Sequence, residues 1–97
     1  MDWEIVFSPQ ALEDLGEAVR YIAKDNPEAA ERVGNALIDR VLVLAKFPKL
    51  GPPYRKRQGV RTLVSNPYMI FYRVLEKEKR VEILRYWHAA RGNLELD

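Results

Sequence analysis

The chain has 97 residues, a net charge of +2, 47% hydrophobic and 31% charged side chains, and no cysteine. One ordinary globular domain fits that composition, spanning 1–97, and disorder does not. Disulfides and thiolate metal sites are excluded, and no cofactor or metal motif is expected. No apolar run approaches the roughly 20 residues of a membrane span, and MDWEIVFSPQ lacks the blocks of a signal peptide. A soluble, cytoplasmic protein with no membrane contact is the expectation.

Residues 3–7, WEIVF, form a short strand candidate. Ser8-Pro9 then reads as a helix start, because the hydroxyl can accept an orphan N–H and proline has none to leave unpaired. Leu12, Leu15, Val19 and Ile22 recur at helical spacing and predict one apolar face. Glu13, Asp14 and Glu17 fall early in this helix, where its dipole favours acids. The helix should end near Lys24.

Asn26-Pro27 repeats the start signal. Ala30, Val33, Leu37, Val41 and Leu44 mark a second helix to about Lys46. So short a connection makes an antiparallel helical hairpin. Phe47-Pro48 and Gly51-Pro52-Pro53 stop helix formation.

The final third changes period. Arg61–Ser65 is a short strand candidate, Asn66-Pro67 a turn, Tyr68–Leu75 a strand, Glu76–Lys79 a charged turn, and Arg80–Trp87 the returning strand. The order is β-α-α-β-β-β, an α+β fold whose last three strands are antiparallel and whose helices pack on one sheet face. Alternation puts Ile70, Tyr72 and Val74 on one side and Met69, Phe71 and Arg73 on the other. Apolar residues on both sides imply that the face away from the helices awaits a partner.

Charge is unevenly spread. Residues 46–61, KFPKLGPPYRKRQGVR, carry Lys46, Lys49, Arg55, Lys56, Arg57 and Arg61 and no acid. This patch could meet acidic protein surface or nucleic acid, or could simply be a solvated loop. Trp3 and Trp87 are most simply core or sheet-edge aromatics. The only histidine, His88, stands in YWHAARGN at the end of the last strand, three residues before Arg91.

FSPQALEDL at the first helix, FPKLGPPYR after the second, and YMIFYRV with VEILRYWHAAR at the end together resemble the RelE/ParE superfamily. These are the toxins of bacterial type II toxin–antitoxin pairs, with the resemblance closer to the ParE-like branch. It covers nearly the whole chain. It implies a helical hairpin on an antiparallel sheet, a plasmid-stabilisation type of system, and inhibition of growth. It also implies a small cognate antitoxin as partner, encoded beside the toxin, with a C-terminal segment that wraps it. ParE-like members poison DNA gyrase. RelE-like members cleave mRNA in the ribosomal A site.

Metal-free RNA cleavage needs a base for the 2′-OH, cations for the phosphate and an acid for the leaving oxygen. If this chain were such an endoribonuclease, the resemblance would give those roles to His88, Arg91 and Arg73, with Arg85 able to reach the same sheet face. RelE-like nucleases resemble one another in an arginine just after the aromatic that opens the long strand; here that place is Met69. They also carry tyrosine or basic residues after the late arginine, where this chain has Gly92-Asn93-Leu94-Glu95-Leu96-Asp97. The expectation is therefore a non-enzymatic, ParE-like gyrase inhibitor. Its partner or target contacts are expected at Lys46, Lys49, Arg55, Lys56, Arg57, Arg61 and Arg91, with no catalytic residue. A ribosome-dependent mRNA interferase is the alternative, and a non-toxic binding module with the same fold is a further one. His88 is expected to hydrogen-bond at the strand end.

Overall fold

A computed structural model describes residues 2–96. The elements are β1 (Glu4–Phe7), α1 (Pro9–Ala23), α2 (Pro27–Leu42) continued by a 3-10 turn (Val43–Ala45), β2 (Arg61–Ser65), β3 (Tyr68–Leu75), β4 (Arg80–His88) and a second 3-10 turn (Ala89–Arg91). Both helix starts use the expected caps. Ser8 Oγ accepts from Ala11 N and Asn26 Oδ1 from Ala29 N, each with proline next in the chain.

The four strands form one sheet in the order β1-β4-β3-β2. The last three are antiparallel, whereas β1 lies parallel to β4. The antiparallel sheet implied by the resemblance thus carries one parallel pair. The reason is the long connection: after β1 the chain crosses by the hairpin and returns to the far edge of the sheet. That crossover allows a parallel neighbour, which a tight turn cannot.

The hairpin covers one face. Leu37, Val41 and Leu44 meet Ile70, Tyr72, Val81, Ile83 and Tyr86 in the main core. The most buried stripe of α1 lies beside the expected one, of which Leu15 still packs on the core. It runs through Ala11, Asp14 and Ala18, while Leu12 is 53% exposed. Small residues let the helix lie close to β4 and α2, and this rotates the larger Leu12 outward.

The opposite face is not bare. Phe71, with Met69, Leu84 and Trp87 beside it, packs under Val60 and Tyr54 of the 52–60 loop and under Leu94 and Leu96 of the C-terminal segment. The face expected to await a partner is covered by the chain itself. Asp97, the last residue of that acidic segment, lies outside the described residues.

A β-bulge sits between β3 and β4. Phe71 pairs with Arg85, but Tyr72 pairs with Ile83, so Leu84 is the extra residue. Unbroken alternation from Ile83 would have put Arg85 on the core side. The bulge shifts the phase by one and puts Tyr86 there instead, where its hydroxyl donates to Leu37 O at 3.0 Å. The outer edge of β2 is closed by Arg40, whose Nε donates to Val64 O, and by a bridge from Pro53 to Arg61. Both devices block pairing with another strand.

Candidate functional site

The side chains that sequence reasoning placed in a hypothetical nuclease centre fall into two separate clefts. Arg73 stands on the open sheet face, where its Nε donates to Glu82 Oε1 at 2.6 Å. With Arg57, Arg85 and Glu95 it lines a cavity of about 520 Å³. His88 and Arg91 instead line a cleft of about 280 Å³ toward the helices, with Tyr21, Tyr68, Tyr86 and Glu17. Neither of these two cavities is lined by all three.

His88 closes β4. Its Nδ1 accepts from Ala90 N at 3.0 Å and so caps the 3-10 turn, and its ring stands edge-on to Tyr68 with centroids 5.1 Å apart. Burial pushes the phenols of Tyr68 and Tyr86 above the ordinary tyrosine range, so both face the cleft as neutral hydroxyl groups. Arg91 lies over the Trp87 ring, 4.1 Å from its centre, and Arg85 is 5.3 Å from the same ring. The indole N–H of Trp87 donates to Gly92 O at 2.8 Å.

The basic segment divides by what its members do. Arg61 donates to Gly51 O at 2.7 Å and so pins the proline-rich turn. Arg57 donates to Leu96 O at 2.8 Å. Lys49 pairs with Glu76 at 2.8 Å, and the hydrogen bond from Lys49 holds that carboxyl below the usual range. Lys46, Arg55 and Lys56 are exposed and make no ion pair among the described residues.

One residue had a different role from the one its sequence position suggested. The first turn of α1 carries no acid, and Asp14 lies in the second turn, only 6% exposed. Its carboxylate accepts from Arg85 Nε at 2.7 Å, Arg85 Nη2 at 3.1 Å, Tyr86 N at 3.1 Å and Gln10 Nε2 at 3.2 Å. Those bonds hold the Arg85 guanidinium still more firmly in its charged form. Asp14 thus ties α1 to the bulge in β4 and commits Arg85 to structure. The sequence signal was an acid on the helix face that also carries Ala11 and Ala18.

A β-strand, a helical hairpin and three antiparallel strands define a small toxin-like fold, and residues 5–92 match the family described as "ParE toxin of type II toxin-antitoxin system, parDE". The chain belongs to that family and is the toxin of a type II toxin–antitoxin system. It is 41% identical over 81 residues to a Sinorhizobium fredii (strain NBRC 101917 / NGR234) protein named "Putative toxin Y4kP", covering 82% of this chain and 81% of that one. Among solved structures, the fold is similar to the chromosomal ParDE system of P. aeruginosa. The TM-score there is 0.77 at 23% identity, covering 89% of this chain and 95% of that one. It is also similar to the RelBE2 toxin–antitoxin complex of Mycobacterium tuberculosis, with a TM-score of 0.68 at 25% identity, covering 91% and 99%. Among the described residues no helix is long and apolar enough to cross a membrane.

Proposed function

We propose that this chain acts in the cytoplasm as a ParE-like inhibitor of DNA gyrase, kept silent by a cognate antitoxin encoded beside it. The observation that carries this reading is the separation of the cleavage candidates. Arg73 belongs to the open-face cavity and is paired to Glu82, while His88 and Arg91 belong to the helix-side cleft. General acid–base cleavage needs its groups around one phosphate. Met69, which stands where a RelE-like nuclease resembles its relatives in carrying arginine, instead packs against the open-face cluster.

Inhibition by binding needs surface rather than a catalytic centre, and exposed material is present. Lys46, Arg55 and Lys56 form the unpaired part of the basic segment, with Phe47 60% and Leu50 50% exposed beside them. Acidic protein surface is the complementary partner for such a patch. Arg91, held over Trp87, is a further contact candidate.

The test is gyrase supercoiling with the purified chain. Supercoiling should stop and cleaved DNA should accumulate, and Arg55→Glu/Lys56→Glu should weaken both about tenfold or more without loss of fold. Unchanged supercoiling, with mRNA cut at A-site codons on programmed ribosomes, would move the reading to an interferase. That alternative draws on the shared cleft of His88, Arg91, Tyr68 and Tyr86. A chain that leaves both gyrase and ribosomes untouched would be a binding module.

A further inference from the structure

The helix-side cleft does not end at His88. Tyr21, Tyr68 and His88 line both it and a second hollow of about 340 Å³, which lies between the two helices and the β2–β3 turn. At about 280 and about 340 Å³, the two hollows together have the size of a small-molecule site. The room comes from side chains that stop short. Ala18 of α1 and Ala36 of α2 stand in the walls, where larger residues would close the space.

The two ends differ in chemistry. Beyond the three rings, Ile22, Val33, Leu37 and Pro67 make an apolar slot. On the near side the charged groups are Asp14, Glu17 and Arg91. Asp14 is committed to Arg85 and to the Tyr86 N–H. Glu17 and Arg91 form no ion pair among the described residues, with each other or with another group. Arg91 stands over the Trp87 ring, a contact that leaves its charge in place. His88 stands between the ends. Its Nδ1 accepts from Ala90 N, so the neutral ring carries its proton on Nε2, and that nitrogen is a donor. One unpaired carboxylate and one unpaired guanidinium in the same cleft complement a ligand that carries both charges.

We propose that the helix-side cleft binds a free α-amino acid with a large apolar side chain. Its ammonium meets Glu17, and its carboxylate meets Arg91 and the Nε2–H of His88. Its side chain enters the slot between the hairpin and the β2–β3 turn. A fatty acid or a peptide terminus brings only one of the two charges and leaves Glu17 or Arg91 without a partner. Occupancy would join α1 and α2 to the ends of β3 and β4 through a single small molecule. The proposal goes beyond the reading above and does not depend on which target the chain inhibits.

The experiment follows the full-length chain, ¹⁵N-labelled at histidine, as L-phenylalanine is added at neutral pH. The chain has one histidine, so the ring signals report on His88 alone. The Nε2 resonance should move and saturate, with half-saturation at about 1 mM or below for so small a ligand. 3-Phenylpropionate lacks the ammonium and phenethylamine lacks the carboxylate, and each should bind about tenfold more weakly. Glu17→Gln should lower L-phenylalanine to the level of 3-phenylpropionate, and Arg91→Gln should lower it to the level of phenethylamine. Ala36→Phe fills the slot from an exposed helix position and should weaken L-phenylalanine about tenfold or more, with unchanged circular dichroism. Should Arg91→Gln disturb the turn and unfold the chain, Glu17→Gln and Ala36→Phe carry the comparison from exposed positions. An Nε2 signal that stays still up to about 20 mM L-phenylalanine in the folded chain would overturn the site. Equal affinity for L-phenylalanine and 3-phenylpropionate, or undiminished binding in Glu17→Gln, would overturn the choice of an amino acid as its occupant.

Discussion

Replacing Asp14 by alanine removes the acceptor for four hydrogen bonds at once. Breaking a buried ion pair from one side costs about 3–5 kcal/mol when the remaining charge stays buried. The Arg85 side chain is 20% exposed and can recover some water, which lowers that cost to about 2–3 kcal/mol. The Tyr86 N–H is buried and would lose its partner, adding about 1 kcal/mol. The expected loss is therefore about 3–4 kcal/mol, from a total of about 5–15 kcal/mol for a domain of this size. Thermal unfolding should begin about 15–25 °C lower. Asp14→Asn keeps an acceptor for Tyr86 and should cost about half as much. Urea titration with Asp14→Ala, Arg85→Met and the double variant would measure this directly. The two changes should couple by about 1–3 kcal/mol, the double costing less than the sum. A loss below about 1 kcal/mol for Asp14→Ala, or strict additivity, would refute the role given to this pair.

Gly51→Ala should cost about 2–3 kcal/mol in urea titration, because its Cβ would overlap the carbonyl of Thr62 and crowd the Tyr72 hydroxyl that accepts from Gly51 N; a neutral substitution would show that the proline-rich turn is not held as described. Alkaline pH should unfold the chain through its tyrosines. Burial raises Tyr68, Tyr72 and Tyr86 above the ordinary 10.0, so their contribution to stability is full below pH 10 and lost as pH rises through the folded values. Tyrosinate absorbance for these three should therefore appear together with the loss of helix by circular dichroism, and ionisation in the still-folded chain would contradict the burial argument.

The elements were legible because their signals are local. Ser8-Pro9 and Asn26-Pro27 announce both helices, and the β-branched and aromatic run Tyr68–Leu75 matches β3 at both ends. What escaped depended on distant partners. The parallel pairing of β1 is set by where the hairpin returns the chain, which no local pattern encodes. The bulge at Leu84 is visible only as a conflict, since strict alternation would bury Arg85 and expose Tyr86. Leu94 and Leu96 follow a glycine and are too few to establish a period, so they read as a loose tail until Val60, Phe71 and Arg57 are placed around them. His88 and Arg91, three residues apart, do share a cleft, but Arg73 faces a different one. Sequence could name these residues; only the sheet's two faces separate them.

The most direct test of inhibition by binding is to titrate gyrase supercoiling with the unaltered chain and with Arg73→Met/His88→Asn. Asparagine can still cap the 3-10 turn that His88 closes, and Arg73 gives up only an exposed pair with Glu82. Half-inhibition should fall at concentrations within about threefold of one another, because neither residue performs chemistry. A folded variant that loses about a hundredfold or more, as removal of transition-state groups would cause, would contradict inhibition by binding.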